Sequence, residues 1–168
     1  PAEGRDCELH SLHKMDEGSH VRFSLDSLDN PERGHWSNYV KGVLSELKKR
    51  GVKTGAFKAL VSSSIPLSAG MSSSAALEMA AALAIAKLFN IDLPKAEWAR
   101  IGQGVENNYM GVNSGLLDQF SSLFGRKDEL MLCDFRTNQV SRTVPVPHGY
   151  VFVVANSMVK HNLVDSEY

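Results

Sequence analysis

The chain has 168 residues, 43% hydrophobic and 22% charged, which is enough apolar material for one buried core. Eighteen Lys and Arg against nineteen Asp and Glu give a formal charge of -1, and no like-charge run exceeds Lys48-Lys49-Arg50, so the basic footprint of a nucleic-acid binder is missing. The longest nearly apolar stretch, 79–86, is far below the roughly 18 residues that a membrane span requires, no signal-peptide pattern opens the chain, and Cys7 and Cys133 are too few for a disulfide framework; the reading is one soluble, cytoplasmic domain over 1–168, without nucleic-acid or membrane partners.

The first twenty residues read as polar. Val21, Phe23 and Leu25 alternate as in a half-buried strand, and 26–34 is a loop. Trp36, Tyr39, Val40, Val43, Leu44 and Leu47 recur at helical spacing up to Gly51, which predicts an amphipathic helix with a glycine stop. A strand is expected over 56–64. After a loop with Pro66 and Gly70, the alanine-rich run 74–89 is the strongest helix in the chain; it is apolar on most sides, which predicts burial, and Asn90 closes it. Pro94 suits the first turn of another helix with Trp98, Ile101 and Val105 inward. A short helix over 116–124 follows, then strands at 130–133, 140–146 and 150–156, the last a continuous apolar run suited to a sheet interior. Helices and strands are mixed, so the fold class is α/β (α+β).

The chemistry concentrates in Pro66-Leu67-Ser68-Ala69-Gly70-Met71-Ser72-Ser73-Ser74-Ala75, between a strand-like run and a buried helix. A helix N-terminus offers free backbone N–H groups and binds anions; Gly70 permits positive φ, and Ala75 and Ala76 are small. Read as structure alone, the segment is a serine-capped helix; three consecutive serines exceed what a cap needs, which points to a phosphate cradle. No G-x-x-x-x-G-K-[ST] occurs, Gly102-Gln103-Gly104 lacks the third glycine of a dinucleotide fold, and Gly70-Met71-Ser72-Ser73-Ser74 lacks the last glycine of a nucleophile elbow. His10 and His13 have no carboxylate or cysteine cluster to make a metal site. Two carboxylates stand out. Glu106, late on the Pro94 helix, is either a solvated glutamate or a site residue, and Asp118, after the turn Asn113-Ser114-Gly115, is either a helix N-cap or a site residue.

Together these residues resemble the GHMP small-molecule kinases, whose second motif is commonly P-x-G-x-G-L-S-S-S-A. Within that family the galactokinase branch is matched by Trp36-Ser37-Asn38-Tyr39-Val40-Lys41-Gly42, Glu106-Asn107, Ser114-Gly115-Leu116-Leu117-Asp118-Gln119-Phe120, Asp134-Phe135-Arg136, 156–161 and Ser166-Glu167-Tyr168, in family order and spacing. Ser68 replaces the usual glycine, and Ser114 stands where cysteine is common. The family's opening sugar motif and its final glycine-rich motif do not occur, so the resemblance implies an incomplete ribosomal-protein-S5-like N-terminal half without the C-terminal ferredoxin-like half, a piece expected to be inactive alone and prone to self-association, although full-length members are often monomeric.

The resemblance implies roles residue by residue. Gly70, Ser72, Ser73, Ser74 and Ala75 would hold the ATP phosphates, Trp36 and Tyr39 would lie near the adenine, Ser73 and Glu106 would ligate Mg²⁺, Gly115, Asp118 and Tyr168 would contact the sugar, and Asp118 would be the catalytic base. The implied activity is transfer of the γ-phosphoryl group of ATP to the C1 hydroxyl of galactose. A related kinase for N-acetylgalactosamine or arabinose, or a non-catalytic galactokinase-like transcriptional sensor, remain the alternatives.

Overall fold

The computed structural model describes residues 1–13, 17–66 and 69–155. Strands β1 (Asp6–Ser11), β2 (His20–Ser24) and β3 (Lys58–Val61) form one sheet in the order β2-β1-β3, with β1 antiparallel to β2 and parallel to β3. The parallel pair is joined through helix α1 (Asn38–Lys49), the crossover that parallel strands require. Helices α2 (Ser73–Phe89), α3 (Lys95–Gly104) and α4 (Leu117–Phe124) follow, with a π-helical turn Val105–Tyr109 continuing α3. A hairpin of β4 (Glu129–Asp134) and β5 (Gln139–Pro145) comes last, bulged between Leu132 and Cys133.

One core unites these elements. Cys7 and Leu9 of β1 meet Val43, Leu44 and Leu47 of α1, Met79 and Ile85 of α2, Trp98 and Ile101 of α3, and Phe120 of α4. Each such aliphatic or aromatic side chain contributes about 1.5–3 kcal/mol when fully buried. The ends of α1 are set locally. Asn38 bonds Glu32 through both its amide nitrogen and oxygen at the start, and Gly51, at φ +74°, turns the chain so that Val52 N–H reaches Leu47 O at the finish. The hairpin docks on α4 through Phe135, whose ring lies edge-on to Phe120 at 5.4 Å.

One strand goes unread in the sequence and three expectations are corrected. The polar first twenty residues contain β1, which alternates buried Cys7, Leu9 and Ser11 with outward Asp6, Glu8 and His10, and the outward charges are matched by Lys58 and Arg22 on the flanking strands, both bonded to Glu8. The strand expected over 56–64 is confined to Lys58–Val61. The alanine-rich helix α2 buries one face only, with Ala80, Leu83 and Ala84 exposed, because sheet and helices cover it from one side. The strand expected over 150–156 is absent from its described part, where residues 150–154 are 68% to 85% exposed; a segment apolar on both faces needs a layer on each, and among the described residues nothing covers it.

Candidate active site

The loop before α2 carries two left-handed residues, Gly70 at φ +70° and Ser72 at φ 52°. Glycine adopts this conformation freely, whereas in Ser72 it costs on the order of 1 kcal/mol. The result is a sharp entry into α2. The first intrahelical bond runs from Ala76 N–H to Ser72 O at 3.0 Å, and no side chain caps the helix. The N–H groups of Ser73, Ser74 and Ala75 therefore sit at the positive end of a 17-residue helix without helical acceptors. The Ala75 side chain is itself fully buried, so only its backbone can serve an anion. Leu67 and Ser68 lie outside the described residues.

Ser74 turns inward. It is 7% exposed, and its Oγ donates to Glu106 Oε1 at 3.4 Å. Glu106, 5% exposed, sits in the π-turn rather than on a solvated helix face, which removes the reading of it as a solvent-facing glutamate. The wider helical turn aims it at the start of α2. The π-turn is anchored twice. Asn108 Nδ2 donates to Glu46 Oε1 of α1 at 3.4 Å; Asn107 Oδ1 accepts from Ser114 N–H at 2.9 Å and Ser114 Oγ at 3.1 Å, while Asn107 Nδ2 and Gln103 Nε2 donate to Ser114 O. Asn107 and Gln103 thus tie the turn bearing Glu106 to the loop bearing Gly115. Glu46 is nearly fully buried; burial alone would raise its carboxyl, but hydrogen bonds from Lys49 and Arg50 at 2.8 and 2.6 Å bring it below its ordinary value.

Asp118 lies in the first turn of α4, where an acidic residue suits the helix dipole. It is not the N-cap; that position is Leu116. Its carboxylate is exposed and makes no hydrogen bond or ion pair among the described residues, and Gly115 beside it is open to solvent with nothing near a prospective Cβ. The turn presents the Asp118 carboxylate outward.

A groove of about 730 Å³ runs between β3 and α2, and Trp36, Ile65, Ser73, Ala76 and Leu77 are among its lining residues. Trp36 is fixed there by its Nε1–H, which donates to Gly18 O at 2.7 Å. Tyr39 is placed differently: it does not line this groove, and its hydroxyl is pushed up to about 12 by burial and then by the carboxylates of Glu78 and Glu106. Tyr168 lies outside the described residues. Of the two histidines considered for metal, His13 Nε2 accepts from Ser63 N–H at 2.5 Å while His10 lies beside the His20 ring; among the described residues no three His, Cys, Asp or Glu side chains converge as a metal site.

Mg²⁺ makes smaller demands than such a cluster. It prefers hard oxygens, usually one or two carboxylates completed by substrate phosphates and water. The buried Glu106 carboxylate beside the Ser74 hydroxyl, at a helix end suited to phosphate, fits that donor chemistry, whereas Ser73, the serine that the resemblance names as a ligand, lines the groove and is not the one bonded to Glu106.

Residues 38–126 match the family model of the GHMP kinases N terminal domain. The galactokinase of Actinobacillus pleuropneumoniae serotype 3 (strain JL03) is 39% identical over 166 residues, covering 98% of this chain and 43% of the relative. That of Thermotoga neapolitana is 43% identical over 133 residues, covering 79% and 38%. The chain thus spans less than half the length of these curated relatives. Among solved structures, Lactococcus lactis galactokinase complexed with galactose matches with a TM-score of 0.81 at 35% identity, over 87% of this chain and 37% of the other. Methanococcus jannaschii mevalonate kinase matches with a TM-score of 0.61 at 21% identity, over 73% and 39%, a likeness of fold.

Proposed function

Because the chain belongs to the GHMP kinase family, we propose that it supplies the phosphate-binding and acceptor-activating part of a kinase that transfers the γ-phosphoryl group of ATP to the C1 hydroxyl of galactose. The single observation that carries this reading is the uncapped start of α2 in hydrogen-bond contact with buried Glu106, an anion site and a cation donor set side by side, as phosphoryl transfer requires. The galactokinase relatives and the galactose-bound neighbour support the choice of sugar.

In this mechanism the N–H groups of Ser73, Ser74 and Ala75, with the loop at Gly70 and Ser72, receive the phosphates of ATP. The adenine lies toward Trp36 in the groove, and Tyr39 stands on the next turn of the same segment. Glu106 and Ser73 would hold Mg²⁺, and the Ser74 hydroxyl orients the Glu106 carboxylate. Bound there, Mg²⁺ neutralises charge developing on the phosphate oxygens. Asp118, exposed at the start of α4, orients the C1 hydroxyl and accepts its proton. The sugar oxygen then forms its bond to the γ-phosphorus as the bond from that phosphorus to the β-bridging oxygen breaks, releasing ADP. Gly115 contacts the sugar.

The test is coupled ADP formation by the full-length protein with ATP and Mg²⁺, offered galactose, N-acetylgalactosamine or arabinose in turn. The reading requires turnover with galactose, product phosphorylated at C1, and preference for galactose over the others. Binding of sugar and nucleotide without turnover would overturn it in favour of a sensor.

A further inference from the structure

Glu78 lies on α2 one turn beyond Ser74, fully buried, and no step above uses it. Its Oε2 accepts from Gln119 Nε2 at 3.3 Å, a bond between α2 and α4 that solvent does not reach, since Gln119 is also fully buried. Each side of this bond leaves one buried oxygen without a partner, Glu78 Oε1 and Gln119 Oε1. A carboxylate facing a carboxamide must do this, because neither of those oxygens can donate. One proton repairs both defects. With the proton on Glu78 Oε1, that group donates to Gln119 Oε1 while Gln119 Nε2–H continues to donate to Glu78 Oε2, closing a cyclic acid–amide pair.

The surroundings favour the neutral acid. Burial first, and then the negative charge of Glu106, raise the Glu78 carboxyl well above its ordinary range; Asp118 adds to this, and only the Gln119 bond opposes it. The pair also has little room to swing away. A Cβ added at Gly102 of α3 would meet Gln119 Cγ at 2.8 Å and Glu78 Oε2 at 3.3 Å. Its place in the fold matters. Ser74 and Glu78 share one face of α2, Ser74 holds Glu106, and Gln119 adjoins Asp118.

We propose that Glu78 and Gln119 form a neutral, doubly hydrogen-bonded pair that keeps α4 in register with α2, making Glu78 a positioning residue for Asp118. The proposal rests on the reading of Asp118 as base. A buried pair with two bonds resists sliding of one helix along the other, and a displacement of about 1 Å at a reacting group can cost about 10²-fold in rate.

The experiment uses the full-length protein and five variants. Glu78→Gln restores both bonds as an amide–amide pair, so kcat stays near wild type. Glu78→Met keeps the volume and removes both bonds; kcat falls by about 10²-fold with little change in the KM for ATP. Gln119→Leu matches that loss, and the double variant Glu78→Met, Gln119→Leu is no worse than either single one. An infrared difference spectrum between wild type and Glu78→Gln at neutral pH shows a protonated-carboxyl band in the wild type alone. Absence of that band overturns the proposal, as does a Glu78→Gln enzyme as impaired as Glu78→Met, or a folded Glu78→Met enzyme with unchanged kcat. Should Glu78→Met fail to fold, the spectrum and Glu78→Gln still decide. Full activity in Asp118→Asn would instead refute the base reading, and the infrared band would still report on the pair.

Discussion

Replacing Gly42 by alanine probes the packing on which the site depends. Gly42 lies on the buried face of α1, and a Cβ built there falls 2.5 Å from Val105 Cγ1 and 3.1 Å from Tyr109 Cδ1. Carbon atoms in contact prefer about 3.5–4.0 Å, so α1 and the π-turn must separate by about 1 Å or Val105 must leave its rotamer. Val105 is fully buried and β-branched, with little freedom to do so. Overpacking of this kind costs about 1–3 kcal/mol, against about 1 kcal/mol gained by removing a glycine from a helix interior. The expected net loss is about 1 kcal/mol, or a fall in Tm of about 2–4 °C for a domain of this size. Because Val105 precedes Glu106, Mg²⁺-dependent activity of the full-length protein should fall further than the stability loss explains. Thermal melts and kinetics across a magnesium titration check both parts. A Gly42→Ala protein with an unchanged or raised Tm would show that the interface yields freely and would refute the reasoning.

Asp118→Asn should lower kcat by about 10²- to 10⁴-fold with little change in Tm, since the exposed carboxylate holds no partner among the described residues; single-turnover transfer to galactose alongside a melt distinguishes this from a structural role. Glu106→Gln should weaken Mg²⁺-dependent catalysis more than ATP binding measured without metal, because the N–H groups of α2 remain, and identical magnesium titrations for mutant and wild type would contradict it. Glu46, held below its ordinary value of 4.5 in the fold, contributes stability that is complete above that pH and is lost as pH falls through its lower folded value. Denaturant midpoints measured from about pH 6 to about pH 3 should therefore decline less steeply in Glu46→Gln than in wild type. The 168-residue chain alone, with Leu60, Leu83 and residues 150–154 exposed, should self-associate; a clean monomer by light scattering with a cooperative melt would count against this.

Elements whose signal is local were legible in the sequence. The stripe of α1, the alanine run of α2 with Asn90 at its end and the separate strands β4 and β5 follow from side-chain period and helix-end chemistry, which neighbouring residues enforce on one another. The serine loop was legible for the same reason, since positive φ at Gly70 and an exposed helix start are properties of a short segment. Strand β1 was hidden because its outward Glu8 matches Lys58 and Arg22 on other strands, and that charge balance exists only after the sheet forms; there Lys58 first, and then Arg22, hold the Glu8 carboxyl at about 2. Strand propensity at 150–155 was real in composition and had no neighbour to pair with among the described residues.

By itself the sequence determined the main helices, the β3, β4 and β5 strand regions and, through its motifs, the family. Which carboxylates are buried was decided only by tertiary structure. The sequence left Glu106 either solvated or in a site and marked nothing at Glu46 or Glu78, yet α1, α2, α3 and α4 converge so that Glu46 meets Lys49, Arg50 and Asn108, Glu78 meets Gln119, and Glu106 meets Ser74, while Asp118 is turned to solvent. The physical reason is that desolvation and partnering of a charge depend on what packs against it across the core, and that information is carried by contacts many residues apart in the chain.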